Sequence, residues 1–219
     1  MLAHAMLPNA VIFVQNGPNN AKRMRRLKGE MTMILLILGL VLWWGSHLVK
    51  IMAPEQRGSA VARMGEGPWK GLVTLVTGIA IAFMVIGYRQ ADVIVLWYSP
   101  LFLWHINNLL MAIAVFIFIA GSFKSPVRRA IRNPQLTGVK LWAVAHLLVN
   151  GDLASVVLFG GILAWAVVAV IGTKRRDGPR GELPESSASG LVMHLIVAGL
   201  LFVVIAGIHL WLGVPTFPG

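Results

Sequence analysis

The chain has 219 residues, of which 57% are hydrophobic and only 12% charged, against roughly 45–50% and 25% in an ordinary soluble domain. So few charges cannot cover a water-soluble surface, which excludes a soluble globular domain, a disordered chain and a coiled coil. The net charge of +11 does not mark a nucleic-acid binder, because Lys and Arg stand in short loops between apolar runs. With no cysteine there is no disulfide, Cys-ligated metal, thiol nucleophile or covalent haem attachment, so any haem must be held non-covalently.

Residues 1–30 carry Lys22, Arg23, Arg25, Arg26 and Lys28 and show no helical period. They lack the small-residue cleavage site of a signal peptide. The expectation is a leader outside the functional chain, with translation starting at Met31 or Met33 and residues 31–219 forming one membrane domain. The alternative is a basic cytoplasmic arm with inverted topology.

Apolar runs long enough to cross a hydrocarbon core of about 30 Å follow at residues 33–52, 71–88, 101–122 and 190–213. The stretch 136–172 is too long for one span at about 1.5 Å per residue. It contains a turn signal, Asn150-Gly151-Asp152, in which Gly is free to take positive φ and Asp is placed to cap the next helix. The pattern predicts a helical hairpin of 136–149 and 153–172, hence an all-α integral membrane bundle of about six transmembrane helices. Asn133 as cap and Pro134 at the first helical position open the short first arm. Trp69, Trp97, Trp104 and Trp211 fall near span ends, where amphipathic rings suit the headgroup level. Gly39, Gly45, Gly78, Gly160 and Gly161 are read as allowing close helix packing.

Basic residues test the count. Lys50, Arg57, Arg63 and Lys70 follow the first span, only Arg89 follows the second, and Lys124, Arg128, Arg129 and Arg132 follow the third. The Asn150 turn has none, and Lys174, Arg175, Arg176 and Arg180 precede the last span. This alternation fits the hairpin and puts the basic loops in the cytoplasm. Arg132 is a candidate for an anionic group, with a snorkelling cytoplasmic base as the favoured reading.

Ionisable groups inside spans are costly and therefore the first place to look for function. His47, His105, His146, His194 and His209 qualify; His4 lies in the leader. A single such histidine is ordinarily a neutral imidazole bonded to a neighbouring helix. Five together point to haem, which membrane bundles hold between imidazoles on facing helices. Depth alone suggests His47 with His194 and His105 with His209, with His146 between. Asn108 shares a helix face with His105 and is placed to orient its ring. A hydrolytic zinc site is disfavoured, since no His-Glu-x-x-His spacing occurs and buried carboxylates are nearly absent.

The run from Arg132-Asn133-Pro134-Gln135 through Trp142-Ala143-Val144-Ala145-His146 to Asn150-Gly151-Asp152-Leu153-Ala154-Ser155 resembles the signature of the NnrU family. Gly45-Ser46-His47, Trp69-Lys70-Gly71-Leu72 and His105 resemble the rest of its pattern. That family is named for a requirement in expressing nitrite and nitric oxide reductases, and is similar to 15-cis-zeta-carotene isomerase, a membrane enzyme with one non-covalent haem b. The resemblance implies a multi-pass protein of the bacterial inner membrane with haem b between His47 and His146. It implies support of denitrification, or redox-gated isomerisation of an apolar lipid or carotenoid. His105 or His209 would then serve the substrate side. Connections shorter than the isomerase's set carotene chemistry further from this chain than haem binding. The alternatives are an electron-transfer cytochrome with a second haem on His105 and His209, and a haemless membrane scaffold. A lipid methyltransferase is the weakest, since Arg132-x-Pro134 with Gly138 lacks the Tyr of that enzyme class's motif. Expected partners are the bilayer and an apolar small molecule or redox partner, not nucleic acid.

Overall fold

Backbone amides in hydrocarbon must be paired within their own segment, so apolar runs of this length fold as helices. The computed structural model describes residues 18–216. Their helices are α1 (Pro18–Met52), α2 (Pro54–Met64), α3 (Glu66–Gln90), α4 (Leu101–Ile119), α5 (Pro126–Ala130), α6 (Pro134–Val149), α7 (Leu153–Asp177) and α8 (Ala188–Trp211). Five, α1, α3, α4, α7 and α8, are long and apolar enough to cross a membrane. The sixth, α6, has 16 residues and reaches about 24 Å, which makes it the short arm of the hairpin.

The start of the first helix differs from expectation. Rather than starting near residue 33, α1 runs back to Pro18 through the basic segment. That segment contains the unbroken run Lys22-Arg23-Met24-Arg25-Arg26-Leu27-Lys28, all good helix formers, and carries an i,i+4 pair, Arg26 Nε to Glu30 Oε1 at 3.0 Å. Charges hid a helix whose apolar face is incomplete there. Residues 1–17, with His4, lie outside the described residues.

The hairpin turn is built as its residues suggest, with one change. Asp152 Oδ1 accepts from Ser155 N at 2.9 Å, capping α7, and Asn150 Nδ2 donates to His146 O at 2.9 Å. Gly151 is not among the glycines with positive φ. Its requirement is close approach: a Cβ there would collide with the Trp97 carbonyl. Leu96 N and Trp97 N donate to Gly151 O, and Leu153 N to Ile94 O, so the α3–α4 loop and the hairpin turn share one end of the bundle. At the opposite, basic end, Ser187 N donates to Lys124 O and Arg180 Nη2 to Arg128 O. Lys124 Nζ meets Glu185 Oε2 there at 2.8 Å, and this bond holds the Glu185 carboxyl below its ordinary range. Both side chains are exposed, so the pair adds little stability.

Two tight helix pairs form the body. In α1 against α3, a Cβ on Gly39 would lie 2.7 Å from Met84 N and 2.8 Å from Ala80 O, and Gly87 faces Thr32 and Leu36 in return. In α4 against α6, a Cβ on Gly138 would lie 2.8 Å from Ala114 O and 2.7 Å from Phe118 Cβ. Small residues let these backbones approach, the usual source of packing energy in lipid. Helix α7 joins the pairs, packing on both α1 and α6, with Trp44 Nε1 donating to Gly161 O at 3.2 Å. Helix α8 packs on α4. Of the glycines read as packing positions, Gly39 and Gly161 meet a neighbour, whereas Gly45, Gly78 and Gly160 have nothing within 4 Å. Gly45 and Gly78 are exposed, on the outside where residues such as Leu75, Leu200 and Val203 meet lipid, while Gly160 is half-buried.

Reporter fusions after Arg63, Arg129 and Arg176 should read cytoplasmic, and fusions at Arg89 and Asn150 external. Asn150 on the same side as Arg129 would break the hairpin.

Candidate functional site

Helix α1 places Trp43 and His47 one turn apart, and α6 does the same with Trp142 and His146. His47 Nδ1 lies 3.0 Å from Trp43 O, and His146 Nδ1 3.1 Å from Trp142 O. A carbonyl can only accept, so in the neutral ring each Nδ1 carries the proton and each Nε2 keeps a free lone pair. This tautomer is the one a metal-binding imidazole needs. Ser46 Oγ also stands 3.0 Å from His47 Nδ1 and bonds Trp43 O. The His47 ring stacks on Trp43 with centroids 4.0 Å apart, and Trp165 of α7 meets both edge-on at 5.3 Å. His146 leans on Trp142 at 4.8 Å and Phe159 of α7 at 4.4 Å.

Between the two helix pairs is a cavity of about 570 Å³ with almost wholly apolar walls, to which Trp43 and Trp142 both contribute. Trp43 Nε1 is buried and has no hydrogen-bond partner, and so is Trp165 Nε1. Helix side chains lean toward their own N-terminus, and α1 and α6 run in opposite directions. The tilt sets the His47 and His146 rings back against their own tryptophans. Neither histidine is in the wall of this cavity, and the contacts on α7 separate them: Phe159 touches His146 and Trp165 touches His47, about 9 Å of helix.

Toward the hairpin end, a second cavity of about 330 Å³ shares Ile205 with the first. It brings His146 and His209 together with Tyr88, Trp104, Asn107 and Asn108. His209 Nδ1 is 2.8 Å from Ile205 O, the same i−4 bond once more. Tyr88 and Ser155 hydroxyls are 3.0 Å apart; Ser155 donates onward to Asp152 Oδ2, so Tyr88 is the donor to Ser155.

The remaining histidines separate. His105 is exposed, makes no side-chain hydrogen bond among the described residues, and lies on the face of α4 that carries exposed Phe102 and Leu109. The structure does not bring it into one cavity with His209. Asn107 Nδ2 donates to Asn108 Oδ1 at 3.1 Å, so the asparagines hold each other and Asn108 does not orient His105. His194 is fully buried between the rings of Phe116 and Phe123. Its Nε2 donates to Phe116 O at 2.7 Å and its Nδ1 accepts from Ser125 Oγ at 2.9 Å. Both nitrogens are committed, and it is not near His47, its partner by depth.

One signal was overlooked in the sequence. Gly39-x-x-x-Trp43-x-x-x-His47 and Gly138-x-x-x-Trp142-x-x-x-His146 have identical spacing. In both, the glycine seats the helix on its neighbour, the tryptophan lines the central cavity and the histidine follows a turn later.

Antiparallel helix pairs flanking an apolar cavity define a multi-pass α-helical membrane protein. The chain matches the NnrU protein family over residues 35–216 and belongs to that family. No curated protein and no solved structure matches it.

His194→Ala should remove a buried aromatic contact and two hydrogen bonds, costing about 2–4 kcal/mol. A lowered melting temperature in detergent checks this; an unchanged one would mean His194 is not the packing element described.

Proposed function

We propose that this NnrU-family protein would hold one haem b non-covalently, through His47 and His146, in the bacterial inner membrane. The observation that carries the proposal is the repeated Gly-x-x-x-Trp-x-x-x-His unit, which sets one Nδ1-anchored imidazole a turn beyond each of two tryptophans that line the same apolar cavity. The donor set fits haem: neutral Nε2 lone pairs suit iron, apolar walls suit the macrocycle, and the unpaired Trp43 Nε1 suits a polar group of a bound molecule. When bound, the haem would supply a one-electron couple beside an apolar chamber.

The protein's own residues do the rest. The carbonyls of Trp43 and Trp142 hold the ring tautomers, as partners behind a ligating histidine do. Trp165 and Phe159 fix the ring planes from α7. The outer cavity, with His209 and the Asn107–Asn108 pair, is where an apolar substrate with a polar end, or a redox partner's electron, would approach His146. Support of denitrification or redox-gated isomerisation of a lipid or carotenoid is the role proposed for that arrangement. The outward position of His105 favours one haem over two, and the free Nε2 atoms favour a cofactor protein over a scaffold.

His47→Ala and His146→Ala should each lower haem content or shift the visible spectrum toward high spin, while His105→Ala leaves both unchanged. Wild-type spectra in both His47→Ala and His146→Ala would overturn the assignment.

A further inference from the structure

At the basic end a third cavity, of about 610 Å³, opens where α6 begins. Its wall holds Arg128, Arg132 and Arg180, together with Asn133, Gln135 and one carboxylate, Glu182. Arg132 Nη1 donates to Gly178 O and Arg180 Nη2 to Arg128 O, both at 2.7 Å. These bonds pin the two guanidinium planes and use one of the five N–H groups on each. The nearby Asp177 carboxylate is held by Arg176 Nε at 2.7 Å.

The start of α6 adds donors without acceptors. Asn133 occupies the cap position yet makes no side-chain bond to the first turn, so its expected capping role is unfilled. Its Nδ2 is buried with no partner. A buried donor left unpaired is costly, and native structures seldom leave one without a ligand, water or ion.

We propose that this cavity binds a phosphate-type oxyanion at the membrane surface. Guanidinium forks match the oxygens of phosphate, and the N-terminal end of α6, whose Asn133, Gln135 and Leu136 line the cavity, favours an anion there. The chemistry is shared by a free phosphate group and by an anionic lipid headgroup. It is independent of haem, since none of its residues contacts His47 or His146.

The test uses the full chain, purified in uncharged detergent and titrated with inorganic phosphate, and in parallel reconstituted in nanodiscs of phosphatidylcholine with or without phosphatidylglycerol. Wild type should bind phosphate, or retain phosphatidylglycerol selectively; the first result assigns a free anion and the second a headgroup. Arg128→Gln/Arg180→Gln should weaken that binding by about 10-fold or more, with unchanged helicity and melting. Arg63→Gln/Lys70→Gln, which removes the same charge away from the cavity, should leave it within about 2-fold. If the double variant does not fold, Arg180→Gln alone carries the comparison. Wild-type protein that binds neither probe, or equal losses in both variant sets, would overturn the proposal.

Discussion

A neutral imidazole inside hydrocarbon must place its N–H on an acceptor, and within a helix the nearest one is the carbonyl four residues back. His47, His146 and His209 all take that solution. The bond satisfies the donor without a second helix and frees the opposite nitrogen to face outward from its own backbone. His194 takes the other solution, with partners on both nitrogens, and is thereby packing rather than chemistry. The division between these two kinds of buried histidine organises the molecule.

The chamber follows from how helices pack without a hydrophobic driving force. Backbones close on each other only at small residues, so Gly39 and Gly138 make two tight pairs rather than one uniform bundle. The tryptophans one turn further along are too large to close the gap, and the space between the pairs remains. Helix α7 is the ruler that fixes the ends, with Phe159 beside one histidine and Trp165 beside the other.

Much of this was legible in the residues. Asn150-Gly151-Asp152 stops one helix and caps the next through local bonds, and such signals read directly. The loops between spans sort their bases to one end because charge near a membrane is a local cost, while Lys22 to Lys28 at the start of α1 lie toward the other, where Gly29 approaches Asp92. The start of α1 was not legible, because a basic helix lacking a complete apolar face has no period to find. Nor was the company of His146: depth along single helices says nothing about which helices touch, and only packing puts His209 beside it and turns His105 away. The Gly-Trp-His spacing was readable in principle, but its meaning depends on α1 and α6 running in opposite directions around one space.

The central claim is that two anchored imidazoles share one haem. Electron paramagnetic resonance of the oxidised wild-type protein from haem-replete cells, with haem counted per chain, tests it most directly. The account predicts about one low-spin, bis-imidazole ferric haem per chain; a folded sample without haem, or a high-spin signal with one protein ligand, would contradict it.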